Sequence, residues 1–151
     1  TEVWNMYSKV MKQILDTFSE GTDNVRMDSN FLLWQSQEGK ALTWMDAIVE
    51  GKPVTPRNGY AVEINALWYN AVMFYRELAE LACSDGESAK WDEFASVFPS
   101  SFKSTFWSKE KGYLADCVNG AERDFSVRCN MIFAVSMPYT CLSLKIRQLI
   151  A

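Results

Sequence analysis

The sequence predicts an α-helical architecture. Two observations carry this reading: apolar residues recur at three- and four-residue steps over residues 3–18 and 63–83, and the regular helices are joined by long connections. The 151 residues make one compact domain or a piece of a larger one. Leu, Ile, Val and Phe together supply about 25% of the chain, above the roughly 20% below which a core is hard to bury, so disorder is excluded as the main state.

The first helix runs from Val3 to Phe18, where Val3, Met6, Tyr7, Val10, Ile14, Leu15 and Phe18 define one buried face, and Gly21 stops it. Residues 22–62 read as a long connection with a β-hairpin at 31–34 and 41–44 around Glu38-Gly39. Such loops commonly carry function, so the chemistry is sought there. Glu63 to Cys83 is the strongest helix, with Ile64, Leu67, Trp68, Ala71, Val72, Tyr75 and Leu78 on a broad apolar face. A third helix spans about Ser88 to Val97; Pro99 interrupts it before Phe102 and Phe106 resume the period. Gly112 to Val118 reads as a short extended piece with Gly120 as a turn. Two helical segments follow, Asn130 to Met137 and Leu142 to Ile150, broken at Pro138.

Composition narrows the chemistry. The chain has no His, which excludes a Ser-His-Asp or Cys-His arrangement, an HExxH zinc site and a His-ligated haem within it. Acid and base work then falls to carboxylates, Tyr, Cys or Lys. No two glycines are separated by a single residue, so no GxGxxG occurs, and there is no GxxxxGK[ST] loop; nucleotide cofactors are disfavoured and none is expected. The net charge of −4, with no basic stripe, argues against nucleic acid as a partner. Cys83, Cys117, Cys129 and Cys141 match no CxxC spacing; they read as free thiols in a reducing compartment, and a cytoplasmic location follows. No apolar run approaches the ~18 residues of a membrane span. The chain begins at Thr1 and is read as an excised segment. Aromatic residues make up 14%, an excess that suits a large core or a surface that stacks on flat ligands such as sugars.

The long connection holds Thr43-Trp44-Met45-Asp46-Ala47, then Pro53-Val54-Thr55-Pro56-Arg57, and leads into Glu63-Ile64-Asn65-Ala66-Leu67-Trp68-Tyr69-Asn70. A carboxylate flanked by Trp, an Arg behind a stiff Pro-x-x-Pro, and a second carboxylate at a helix start would form a polar, aromatic cleft suited to carbohydrate. Each residue also has a plain structural reading. Asp46 fits the N-cap of a turn at 47–50, and Glu63 is favoured at its position by the helix dipole. Trp44 and Trp68 either stack on sugar rings or fill the core. Asn65 and Asn70 are ordinary polar residues unless they point into the cleft. Arg128 and Asn130 precede a helix start and suit a cap. The Phe94, Phe98, Phe102, Phe106 stripe reads as core.

These motifs, TWMDA (43–47), PVTPR (53–57), VEINALWYNA (62–71), Phe106-Trp107 with GYLAD (112–116), and SVRCNMIFAVSMPY (126–139), resemble the amylo-α-1,6-glucosidase domain of glycogen debranching enzymes over most of residues 28–150. Cys129 stands where that family usually has Pro, and Met131 where it has Gln. The resemblance implies an all-α portion of an (α/α)6 toroid of helical hairpins, about half or less of the ring, with a long active-site loop between the first and second helices. It implies Asp46 as general acid and a Glu beyond residue 151 as base. Trp44, Arg57, Glu63, Asn65, Trp68 and Asn130 would line the substrate site, and glycogen or a branched α-glucan would be the partner. A fragment of this kind is expected to be inactive alone and to self-associate through surfaces left open. Arg57 beside Asp46 would lower the pKa of an acid that needs it raised, so Arg57 is expected to hold substrate hydroxyls or another carboxylate. The competing readings are a non-catalytic helical module that binds glucan or protein, and a related toroidal glucosidase of other linkage specificity.

Overall fold

A computed structural model of the chain describes residues 2–151. Its centre is the helix predicted most strongly, α2 (Val62–Leu81), entered directly from a strand and buried along Val62, Ala66, Trp68, Val72, Tyr75 and Ala79. Around it stand α1 (Glu2–Glu20), the short α3 (Asp85–Ala89), α4 (Asp92–Phe106), α5 (Phe133–Ser136), which continues a 3-10 turn at Cys129–Ile132, and α6 (Leu144–Ile150).

Helix α4 lays Phe94, Phe98, Phe102 and Phe106 into the core, one per turn and each at most 1% exposed. Phe94 and Phe98 have ring centroids 4.9 Å apart, and Tyr69 of α2 stacks on Phe98 at 5.1 Å. The predicted break at Pro99 does not occur: α4 runs through it. An interior proline costs roughly 3 kcal/mol. Each fully buried Phe contributes about 1.5–3 kcal/mol, so four of them outweigh that cost and hold the helix together.

The all-α expectation is corrected. Nine short strands form four small sheets beside the helices, so the described residues are mixed α/β and not a section of a ring built of helical hairpins. Strands β1 (Val25–Met27) and β2 (Leu33–Gln35) pair antiparallel, as do β3 (Ile48–Val49) and β4 (Lys52–Pro53). Strand β5 (Tyr60–Ala61) joins β8 (Cys117–Asn119), which joins β9 (Glu122–Asp124); β6 (Trp107–Ser108) pairs with β7 (Tyr113–Leu114). The connection from 22 to 62 is thus folded, and its hairpins lie at 25–35 and 48–53 instead of at 31–44. Strands of two or three residues are too short to display the alternation that marks a strand in sequence. Glu50-Gly51 makes the two-residue turn between β3 and β4, with φ of 50° and 76°, as a type I′ hairpin requires. With β3 at 48–49, no helical turn follows Asp46 for it to cap.

Glycine is required at position 59. There φ is +111°, and a Cβ would lie 2.2 Å from the Val118 carbonyl oxygen, so the bare backbone lets β5 meet β8.

Helix α1 departs from expectation in its facing. Only Leu15 is buried, with Trp4 and Met11 packed at the core edge, while Val3, Met6, Tyr7, Val10, Ile14 and Phe18 remain open to solvent. Leu67, Phe74 and Leu81 of α2 are also exposed. Among the described residues no helix is long and apolar enough to cross a membrane.

Candidate functional site: a buried ion cluster beneath an exposed loop

The candidate site grows from Arg57, which follows the β3–β4 hairpin and precedes β5. Its side chain is 2% exposed and spends all five of its N–H donors inside the protein. Nε donates to Asp116 Oδ2 at 2.9 Å, and Nη2 donates to Glu63 Oε2 at 2.6 Å and to the Asp116 carbonyl at 3.0 Å. Nη1 donates to Glu63 Oε1 and, at 3.3 Å, to Thr43 Oγ1. Glu63 sits in the first turn of α2, where the helix dipole favours its charge. Burial works against the charged guanidinium, but the hydrogen bonds and charge of Glu63, then the charge of Asp116, outweigh it and raise its pKa above the ordinary value.

Asp116, 1% exposed between β7 and β8, is the second hub. Its Oδ2 also accepts from Arg128 Nη1 at 2.6 Å, and its Oδ1 accepts from Asn130 Nδ2 at 2.6 Å. Arg128 reaches on to Asp124 Oδ2 at 2.6 Å. Burial would raise the Asp124 carboxyl, but the Arg128 and Ser126 hydrogen bonds prevail and hold it down at about 2. Removing several charges from water is costly, and this arrangement survives because its members pair and bond bidentately.

Above the cluster runs the loop that holds Thr43 to Asp46. Trp44 is 58% exposed, yet its indole Nε1 donates to Asn130 Oδ1 at 2.9 Å. The Asn130 amide also approaches Met45 Sδ at 3.4 Å. One buried asparagine therefore ties the loop to Asp116. Asp46, the next residue after Met45, is exposed, and no described side chain is hydrogen-bonded to its carboxylate.

Of the sequence-predicted residues, Arg57, Glu63 and Asn130 meet in one cluster, with Trp44 attached at its edge. Arg57 holds carboxylates and a hydroxyl of its own chain. Asn65 is fully buried and serves backbone: its Oδ1 accepts from the Leu33 amide at 2.8 Å, and its Nδ2 donates to the carbonyls of Leu33 and Ala61 at 3.1 and 3.0 Å. Trp68 is 4% exposed, donates to the Phe31 carbonyl at 3.3 Å, and lies edge-on to Trp91 and Phe94. The sequence reading missed Asp116 and gave Arg128 no carboxylate partner. The available signal was the lone acid of GYLAD, directly after apolar Leu114-Ala115.

A polar depression of about 240 Å³ adjoins Asp124, lined by Pro56, Asn58, Cys117, Asn119 and Glu122. An apolar one of about 230 Å³ lies between α1 and α2 and has no polar side chain for sugar hydroxyls. Burial pushes the Cys117 thiol up to about 11, which leaves it a weak nucleophile. Among the described residues no group of three or more His, Cys, Asp or Glu converges as a metal-ligand set.

The chain is a glycoside-hydrolase-related domain. It belongs to the amylo-alpha-1,6-glucosidase family, whose model matches residues 1–150. Its fold is similar to part of a crystal structure, the GH78 family rhamnosidase of Bacillus sp. GL1: TM-score 0.61, 16% identity, 98% of this chain and 14% of that one. That likeness shows the fold alone. No curated protein matches the chain.

Proposed function

We propose that this chain supplies the general acid and one sugar platform of a glucosidase that hydrolyses α-1,6-linked glucose at glycogen branch points. The observation that carries the proposal is the Trp44–Asn130–Asp116 connection, which fixes an exposed tryptophan and the adjoining acid segment on a rigid, charged floor. Asp46 is the acid, exposed at the end of that segment, and Trp44 offers an aromatic face to a glucose ring while its edge is pinned. Arg57, Glu63 and Asn130 set the loop from beneath, Asn65 holds α2 to β2, and Trp68 packs the wall behind.

Glycosidic cleavage passes through an oxocarbenium-like state, so one carboxyl protonates the leaving oxygen while a second activates water from the opposite face. An inverting reaction places the two carboxyls roughly 6.5–9.5 Å apart, leaving space for that water. In this proposal the second is a Glu following residue 151, glycogen or a branched α-glucan is the substrate, and the compartment is the cytoplasm, in keeping with four free thiols. The fold shared with a rhamnosidase supports a second reading, the same acid acting on another linkage.

In a glucosidase polypeptide that carries these residues with its base, Asp46→Asn abolishes glucose release from a branched limit dextrin while the protein stays folded. Turnover close to the parent's rules out Asp46 as the acid. Full loss with limit dextrin, but also with a substrate of another linkage that the parent cleaves faster, favours the second reading.

A further inference from the structure

With no described side chain bonded to the Asp46 carboxylate, the direction in which it points is set by its backbone. That backbone is held on both sides. Behind Asp46, the Ala47 carbonyl accepts from the Val54 amide at 2.9 Å, just past β4. Ahead of it, the Met45 amide donates to Thr43 Oγ1 at 3.3 Å. The first hold is main chain on both partners; the second depends on one hydroxyl.

A hydroxyl that accepts from the amide two residues on makes a turn, but a weak one while the side chain is free to rotate. Thr43 is not free. Its Oγ1 also accepts from Arg57 Nη1 at 3.3 Å, and the other four Arg57 donors are taken by Glu63 and Asp116. A guanidinium is planar and its donors cannot turn independently. In a side chain 2% exposed, the fifth donor therefore points one way, and it fixes the Thr43 oxygen and the Met45 amide with it.

We propose that Thr43 is a positioning residue for the acid: its hydroxyl carries the rigidity of the buried Arg57 cluster into the backbone at Met45 and so aims Asp46 at the glycosidic oxygen. This rests on Asp46 as the general acid. The hydroxyl oxygen must accept twice, which Ser can do and Val, of nearly the same shape as Thr, cannot. The Trp44 platform is held separately, by Asn130, so losing the Thr43 oxygen should show in the protonation step and not in substrate binding.

The test uses a glucosidase polypeptide that carries these residues with its base, and two substrates. In limit dextrin the leaving oxygen needs a proton; in α-glucosyl fluoride the fluoride departs with little help from an acid. Thr43→Val is expected to lower kcat on limit dextrin about 10- to 100-fold, the scale of a misplaced catalytic group, with KM within about twofold and fluoride turnover kept. Thr43→Ser is expected to restore most of the loss. Equal loss on both substrates, a loss confined to KM, Ser behaving as Val does, or Thr43→Val turning over at the parent's rate overturns the proposal. Asp46→Asn in parallel tells this failure from that of the acid assignment. Loss of dextrin turnover in Asp46→Asn beside an unaffected Thr43→Val removes only the role of Thr43, whereas Asp46→Asn at the parent's rate removes the acid itself. One measurement needs no variant. In the 151-residue chain the Met45 amide should exchange with solvent about tenfold or more slowly than the Asp46 amide, after allowance for intrinsic rates. Equal exchange overturns the proposal even where Thr43→Val does not fold.

Discussion

The indole of Trp44 donates its one hydrogen bond to Asn130, 86 residues further along the chain. A tryptophan more than half exposed is normally free to change rotamer. Here its edge is fixed by an amide that is itself fixed by Asp116, and only the ring face is left to meet a ligand. If Trp44 stacks on a sugar as proposed, its orientation is settled before binding, which lowers the ordering cost of that contact.

Asn130→Ala removes the acceptor for Trp44 and a donor to Asp116 together. The expected cost is about 1–3 kcal/mol of stability, the range for buried polar groups left unmatched. The Trp44 indole proton, followed by nitrogen-edited NMR, should lose its protection from solvent exchange. Unchanged protection would show that something else holds the ring.

Arg57→Ala strands Glu63 and Asp116 as buried carboxylates and should destabilise the domain by about 3–5 kcal/mol in urea titrations. Arg57→Lys should recover little of that, because one ammonium cannot reproduce the five-donor fork. Recovery of full stability by lysine would mean that charge alone matters there.

The Asp124 carboxyl, at about 2 in the folded protein against an ordinary 3.8, sets a pH signature. A depressed carboxylate stabilises above its unfolded value and loses that contribution as pH falls through the folded one. The native chain should therefore exceed Asp124→Asn in Tm above about pH 5, and the gap should close between pH 4 and 2. Because Asp124 is part-exposed, added salt should shrink the gap. A gap constant down to pH 2 would contradict the Arg128–Asp124 pairing.

Helices α2 and α4 were legible because their apolar residues repeat over several turns, a signal that accumulates with length. The break placed at Pro99 failed because burial of Phe94, Phe98, Phe102 and Phe106, the stripe that the sequence marks as core, outweighs the local backbone rule. Of the strands, only the extended piece at 112–118 with its turn at Gly120 was legible; the rest were not, because two or three residues carry no period and partners such as Tyr60 and Val118 lie far apart in the chain. The same holds for the cluster. Arg57, Glu63 and Asn130 stood out by residue type within motifs, but Asp116 gains its role only when residues 57, 128 and 130 converge on it. For α1, spacing reveals that an apolar face exists and says nothing of what covers it.

Asn65 has a further consequence. Its side-chain amide meets both the N–H and the C=O of Leu33, the exchange that a neighbouring strand would make, and two residues on Gln35 makes the same exchange with the backbone of Gly59. The outer edge of β2 is thereby closed, first by a side chain and then by main chain. Open strand edges recruit further strands and seed aggregation. A helix residue imitating a peptide group removes that hazard here without the chain having to provide another strand.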